Sequence, residues 1–516
     1  MKIERTKNAG RNILFGTILK VYQMIIPFLM RTVMIYFMGV EYLGLNSLFT
    51  SILQVLNLAE LGVGSAMVYS MYKPIAEDDN ESICALMKLY RSYYRVIGII
   101  ILAVGMCLLP FIPKLIKSDV PPDINIYILY LLNLAVTVLS YWLFAYKNCL
   151  LDAHQRTDVT SKVTLITNTI QYGIQIIILI FLKNYYLYVI VMLATQALTN
   201  IVIACVVTRI YPQYAPKGKM NSEEIRVINH RIRDLITSKL GGVIVNSADT
   251  IVISAFLGLK MLAIYQNYFY ILTAIIGIVG IIFGSCTAGI GNSIIVETKE
   301  KNFNDLKKFT FILMWISGFC AICLLCMYQP FMEIWVGTSL QLEFGAVVCF
   351  TVYYFVFELN QLLNLYKDAS GMWHEDRFRP LVTAVVNLGL NLVMVQIWGI
   401  YGVLLSTVLS MLFVGMPWLL HNLFTVIFKR NQMINYLKGV FLYTTVTIVS
   451  ATLTFVVCER LPFGGWSLLI CRAVICCVIP NMIFFIIYRK LKEFSASVEL
   501  LDRLTKGKIH GILKRV

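Results

Sequence analysis

The chain has 516 residues, of which 59% are hydrophobic and only 14% charged, and its mean hydropathy is +0.75. A soluble domain carries about 25% charged residues, so soluble folds, disordered chains, secreted disulfide scaffolds and nucleic-acid-binding modules are excluded. The apolar residues recur in runs of about 20, the length that a bilayer-spanning helix needs. The expected fold class is an all-α polytopic membrane protein.

In chain order, spans are expected near 12–38, 43–70, 92–113, 126–147, 163–182, 186–208, 235–257, 262–290, 309–328, 344–366, 381–397, 401–427, 434–457 and 466–488. About 14 transmembrane helices place both termini on one side. The positive residues say which side, because Lys and Arg accumulate in cytoplasmic loops. Of the 44 Lys and Arg, only Lys114, Lys117, Lys183, Lys260 and Arg460 fall in loops after odd-numbered spans. Lys20, Arg31 and Arg472 lie deeper inside spans, and the rest flank the other face. The chain is expected to cross a membrane many times, with both termini cytoplasmic.

A shift of 219 sets Lys20 on Lys239, Phe37-Met38-Gly39 on Phe256-Leu257-Gly258, and Asn168 on Asn387. A shift of 220 sets Tyr146-Lys147 on Tyr366-Lys367 and His154 on His374. Each half then holds six helices and enters from the same side, a parallel repeat of a kind found in secondary transporters. The organisation expected is a six-helix bundle over 1–210, a cytoplasmic linker over 211–232, a second six-helix bundle over 233–430, two appended helices over 431–490 and a basic amphipathic tail over 491–516. The tail suits the anionic inner leaflet or a partner helix.

An ionisable group inside a span costs at least ~2.5 kcal/mol on insertion scales, so each one is a functional candidate. Lys20 and Arg31 lie eleven residues apart, about three turns and ~16 Å along one helix face, with Gln23 close to that stripe and Pro27 expected to kink the helix. Two cations on one face suit an anionic ligand, although Lys20 alone also fits snorkelling to headgroups. The seventh span carries Asp249 beside Thr250, the residue aligned with Arg31, with Asn246 one turn below and Lys239 near its entry. Asp249 is read either as facing Arg31 across a cavity or as part of a buried ion pair. Glu358 in the tenth span and Glu60 in the second are candidate ion-binding carboxylates or protonated core groups. Arg472 is read as an interface anchor, and Gly277, Gly280 and Gly284 as a face for close helix packing.

The 13 cysteines lie mostly in apolar runs. Cys320, Cys323 and Cys326 have an iron–sulfur-like spacing, but consecutive turns of one span read as core packing. No metal or cofactor is expected beyond a coupling H⁺ or Na⁺. There is no Walker sequence, no His-Glu-x-x-His and no nucleophile elbow. His154 and His374 are read as relics of the repeat.

The stretch Arg31-Thr32 … Gly39-Val40-Glu41-Tyr42-Leu43-Gly44-Leu45-Asn46 … Leu56-Asn57-Leu58-Ala59-Glu60-Leu61-Gly62-Val63-Gly64 … Tyr72-Lys73-Pro74-Ile75-Ala76, with the later loop Asp152-Ala153-His154-Gln155-Arg156, resembles Wzx-type polysaccharide repeat-unit flippases. These belong to the superfamily that includes MATE exporters and the lipid II flippase. The resemblance implies two pseudo-symmetric six-helix bundles around a central cavity, plus the two appended helices. It implies ion-coupled alternating access that moves undecaprenyl-diphosphate-linked oligosaccharide from the cytoplasmic to the outer leaflet for cell-surface polysaccharide assembly. The partners implied are that substrate, membrane lipids and a polysaccharide polymerase. Arg31, Lys20, Lys239, Gln23 and Asn246 are then the substrate-binding candidates, and Asp249, Glu358 and Glu60 the ion-coupling ones. A MATE-like drug/cation antiporter is the alternative. A membrane-embedded glycosyltransferase or polymerase is the contrasting class, and short outer loops argue against it.

Overall fold

The computed structural model describes residues 5–117, 120–372 and 374–504. These form two compact units, Met1–Ala263 and Ile264–Val516. The first contains α1 (Arg5–Phe37), α2 (Val40–Leu56), α3 (Val63–Ala76), α4 (Asn80–Leu108), α5 (Ile126–Trp142), α6 (Asn148–Ala153), α7 (Thr157–Ile177), α8 (Tyr185–Ile210) and α9 (Ser222–Leu257). The chain then runs through α10 (Leu259–Gly284), α11 (Thr287–Val296), α12 (Lys299–Val336), α13 (Phe344–Ala369), α14 (Arg379–Trp398), α15 (Ile400–Ser410), α16 (Met416–Val426), α17 (Gln432–Glu459), α18 (Gly465–Tyr488) and α19 (Lys492–Leu504).

The helix starts follow ordinary capping chemistry. Short polar side chains at Asp79, Asn125, Asn184 and Thr298 each accept from free amide groups of the first turn, which satisfies donors that have no intrahelical partner. Large apolar residues such as Phe181, Phe413, Phe441 and Ile448 point outward, as expected of a chain whose solvent is lipid.

Among the described residues, 12 helices are long and apolar enough to cross a membrane, or 13 with the bent pair Ile126–Trp142 and Ala145–Ala153. The fourteen-span expectation differs at its second element. The run 43–70 is not one helix: α2 stops at Leu56, a 3₁₀ turn covers Asn57–Glu60, and α3 restarts at Val63. At ~1.5 Å per residue, the 17 residues of α2 reach about 26 Å, short of the ~30 Å hydrocarbon core. By contrast, Pro27 does not interrupt α1, which is continuous from Arg5 to Phe37.

Within the first unit α1 packs on α7, α2 on α9, and α5 on both α4 and α8. The stretch expected as a linker is irregular to Asn221 and helical from Ser222. In the second unit, α12 packs against α13, α17, α18 and the tail helix α19. Phe494 of α19 seats against Phe311, Trp315 and Phe485, and Lys307 pairs with Glu493 at 3.2 Å. Residues 505–516 of the expected amphipathic tail lie outside the described residues. The small-residue face of α10 is in contact only in part. A Cβ on Gly280 would touch Gln361, whereas one on Gly277 or Gly284 would meet nothing within 4 Å.

Candidate functional site

On α1, Lys20 and Gln23 are exposed, and Arg31 is half-buried near the Tyr188 hydroxyl of α8. The N-terminal part of this helix is tied to the loop before α7. Asn12 donates to the Gln155 carbonyl at 3.0 Å and accepts from the Asp158 amide at 2.8 Å. Asp158 is fully buried and also accepts from Arg156 at 2.9 Å and Lys162 at 3.2 Å. The helix that carries Arg31 is thereby fixed at its base. His154 is buried in the same loop, its Nδ1 donating to the Leu150 carbonyl at 2.8 Å and its ring 4.4 Å from that of Tyr211. Burial pushes the imidazole below its ordinary range, opposed by that hydrogen bond. The exposed His374 has no comparable setting.

Asp249 and Thr250 are buried on α9, between the fully buried Ser247 and Ser254. Arg31 and Asp249 therefore lie in the same unit. The side chains of Lys239 and Asn246 lie outside the described residues.

Glu60 ends the 3₁₀ turn that breaks the second span, and it lines a cavity of about 650 Å³ together with Tyr69, Tyr72, Tyr90, Tyr94 and Asp152. The Tyr94 hydroxyl donates to Glu60 Oε1 at 3.2 Å and receives a hydrogen bond from Tyr90 at 2.5 Å. Tyr141 donates to Asn57 at 3.1 Å, so the break is held from both α4 and α5. Gly62 turns the chain at φ +86, and a Cβ there would lie 2.5 Å from Cβ of Leu235 on α9. Irregular backbone at membrane depth survives only where protein or a watery cavity satisfies it, and broken helices mark transporter binding sites. The signal for this cavity in the sequence was the Asn57 to Gly64 stretch. The tyrosines of α4 that complete it carried no signal, because ordinary helix faces also carry tyrosines.

Glu358 is in the second unit, 1% exposed on α13. Its Oε1 has no hydrogen-bond partner among the described residues, and Cys320 of α12 lies near both it and Tyr354. The structure thus places Arg31, Asp249 and Glu60 in one unit and Glu358 in the other.

One buried charge cluster escaped the sequence reading. Arg379 grips Asp376 through two bonds of 2.7 Å and donates to Asn364 at 2.7 Å, while Asn422 donates to Asp376 at 3.2 Å. With Arg379 5% and Asp376 2% exposed, this is a neutralised lock that joins α13, α14 and α16.

Solved structures share this architecture. The lipid II flippase MurJ in an inward closed conformation matches with a TM-score of 0.67 at 16% identity, over 93% of this chain and 99% of that one. An inward-facing multidrug resistance MATE family transporter of the MOP superfamily gives 0.58 at 14% identity, over 82% and 99%. A Vibrio cholerae MATE transporter gives 0.52 at 14%, over 82% and 97%. The molecule therefore shares the all-helical, many-span fold of these membrane proteins. No curated protein matches the chain by sequence. Residues 9–288 match the family described as polysaccharide biosynthesis protein, more than half of the chain, and the chain belongs to that family.

Proposed function

We propose that this protein is a flippase that carries undecaprenyl-diphosphate-linked oligosaccharide from the cytoplasmic to the outer leaflet by ion-coupled alternating access. Counting the broken α2–α3 segment as a crossing gives fourteen spans, organised as two six-helix bundles around a central cavity with α17 and α18 appended and both termini cytoplasmic. Arg31 carries the reading: in a polysaccharide biosynthesis family, a half-buried guanidinium sits in an apolar span. A diphosphate lipid needs such a cation, and the planar guanidinium fork binds phosphate oxygens in pairs. Lys20, Gln23, Lys239 and Asn246 complete the proposed substrate path, and the tyrosines beside Glu60 offer rings and hydroxyls to a sugar. Asp249, Glu358 and Glu60 are the proposed coupling carboxylates.

Arg31→Ala should abolish movement of lipid-linked oligosaccharide across proteoliposomes while the protein remains in the membrane. Arg31→Lys should retain part of it. Wild-type movement by Arg31→Ala would refute the assignment. The buried Asp249 favours drug/cation antiport as the second reading. Gradient-driven efflux of cationic drugs, with no movement of lipid-linked sugar, would establish that reading in place of flipping.

A further inference from the structure

Sequence spacing alone put Cys320, Cys323 and Cys326 on successive turns of one helix and gave them only packing to do. The fold adds partners from two other helices. Cys326 of α12, Cys458 at the end of α17 and Cys476 of α18 are each 0% exposed, and their three sulfurs lie within 4.8 Å of one another. The Cys323 thiol, one turn before Cys326, also faces Cys476. All of these cysteines are free thiols.

A second observation concerns charge. Arg472 of α18 is 9% exposed, and it donates to the Cys326 carbonyl at 2.9 Å and to Glu459 at 2.8 Å. Glu459 is half exposed to solvent, and the buried Nε of Arg472 has no partner among the described residues. A buried cation is costly unless an anion lies near it. Glu459 supplies one on the solvent side, and neutral thiols add none on the buried side; three thiolates on a divalent cation would carry one net negative charge there, facing the guanidinium.

We infer that Cys326, Cys458 and Cys476 form a binding site for a soft, thiophilic metal ion of the zinc class, with Arg472 as its counter-charge. Thiolates about 2.3 Å from a tetrahedral zinc stand roughly 3.8 Å apart, so modest rotation of side chains already within 4.8 Å closes the site. Cys323 is the available fourth ligand. As the metal binds, each thiol forms a sulfur–metal bond and releases its proton to water, so affinity rises with pH. The ion would staple α17 and α18, the two appended helices, onto α12. That role is independent of what the transporter carries.

The test uses full-length protein, purified with reductant, loaded with zinc and then dialysed against metal-free buffer. Wild type and Cys320→Ala should each retain one equivalent of zinc by elemental mass spectrometry and melt higher with zinc than without it. The Cys458→Ala/Cys476→Ala double variant should retain none and show no zinc-dependent rise. Loading wild type with Co²⁺ instead should give thiolate-to-metal charge-transfer absorption in the near ultraviolet, a readout that stands even if the double variant fails to fold. Zinc-free reduced wild type after loading, undiminished zinc in the double variant, no thiolate band with cobalt, or a disulfide among these cysteines in zinc-loaded protein would each overturn the assignment.

Discussion

Replacing Gly62 by alanine tests whether the broken second span is a built feature. Gly62 holds φ +86 and ψ −19, a left-handed conformation that costs an L-residue about 1–2 kcal/mol. The new Cβ would lie 2.5 Å from Leu235 Cβ, whereas non-bonded carbons rest about 3.5–4.0 Å apart. Either α9 or the break must then yield by about 1 Å, and such overpacking costs roughly 1–3 kcal/mol. The expected loss is about 2–5 kcal/mol, seen as a clear fall in the thermal midpoint of solubilised protein followed by size-exclusion chromatography. Gly64→Ala is the matched control. Its Cβ would lie 3.2 Å from the Glu60 carboxylate and the Tyr90 hydroxyl and 3.9 Å from that of Tyr94, side-chain ends rather than backbone, and alanine gains roughly 0.5–1 kcal/mol over glycine inside a helix. Gly64→Ala should therefore melt near wild type and act, if at all, on transport through the Glu60 cavity. A Gly62→Ala midpoint equal to that of wild type would refute the reasoning.

Asp376→Asn strands Arg379 without its anion in a nearly fully buried setting, so it should destabilise by about 3–5 kcal/mol. Glu297→Gln, which removes a partner from the exposed Lys301 pair, should leave the midpoint nearly unchanged; equal effects would contradict the burial argument. His154 titrates lower in the folded protein than its ordinary value because it is buried, so the unfolded chain takes up the proton first as pH falls. Stability should thus be full above about pH 6.5 and decline below it, and His154→Asn should flatten that decline in melting curves between about pH 6.5 and 5. Asp249→Asn should retain substrate binding yet lose the response of transport to an imposed proton or sodium gradient, because a cavity carboxylate exchanges its ion as access alternates. If Asp249→Asn and Glu358→Gln both leave gradient-driven transport intact, coupling lies elsewhere.

The spans and the intramembrane charges were legible because both depend on single residues against an apolar background: Arg31, Asp249 and Glu358 stand out wherever they fall. The broken α2–α3 segment was less so. Its residues are apolar enough to pass for one helix, and only the Asn57 turn and the Gly62-Val63-Gly64 restart mark the interruption. Contacts between distant helices were not legible at all. Asp376 and Arg379 are three residues apart, but Asn422, which completes their cluster, is 46 residues from Asp376. Cys326 meets cysteines from helices more than a hundred residues later. His154 matches His374 under the 220 shift, yet it is buried against Tyr211 and Tyr214, tyrosines that no local pattern connects to it.

Positive φ values recur near the offset of the proposed duplication. Gly39 and Gly258, which the 219 shift aligns, both adopt positive φ, at +118 and +87. Gln155 and Gly371 follow at φ +56 and +69, and Lys183 and Gly399 at φ +47 and +57, each pair 216 positions apart. The second span of the first half breaks at Asn57–Gly62, and α10 gives way to α11 at Ser285–Cys286. Gly39 and Gly258 also share an extended ψ, 167 and 173, a conformation open mainly to glycine, so this matched pair supports a repeated unit beyond the scattered identities. If the halves share an ancestor, residues at equivalent depth that differ in charge are where their roles diverged. Arg31 aligns with Thr250, so this cation has no counterpart at the matching position of the second half. The acid beside that position, Asp249, belongs to the start of the second. Under the proposed function, Arg31 holds the anionic lipid and Asp249, in the same compact unit, exchanges the ion, so the prediction for Asp249→Asn tests both residues' roles together.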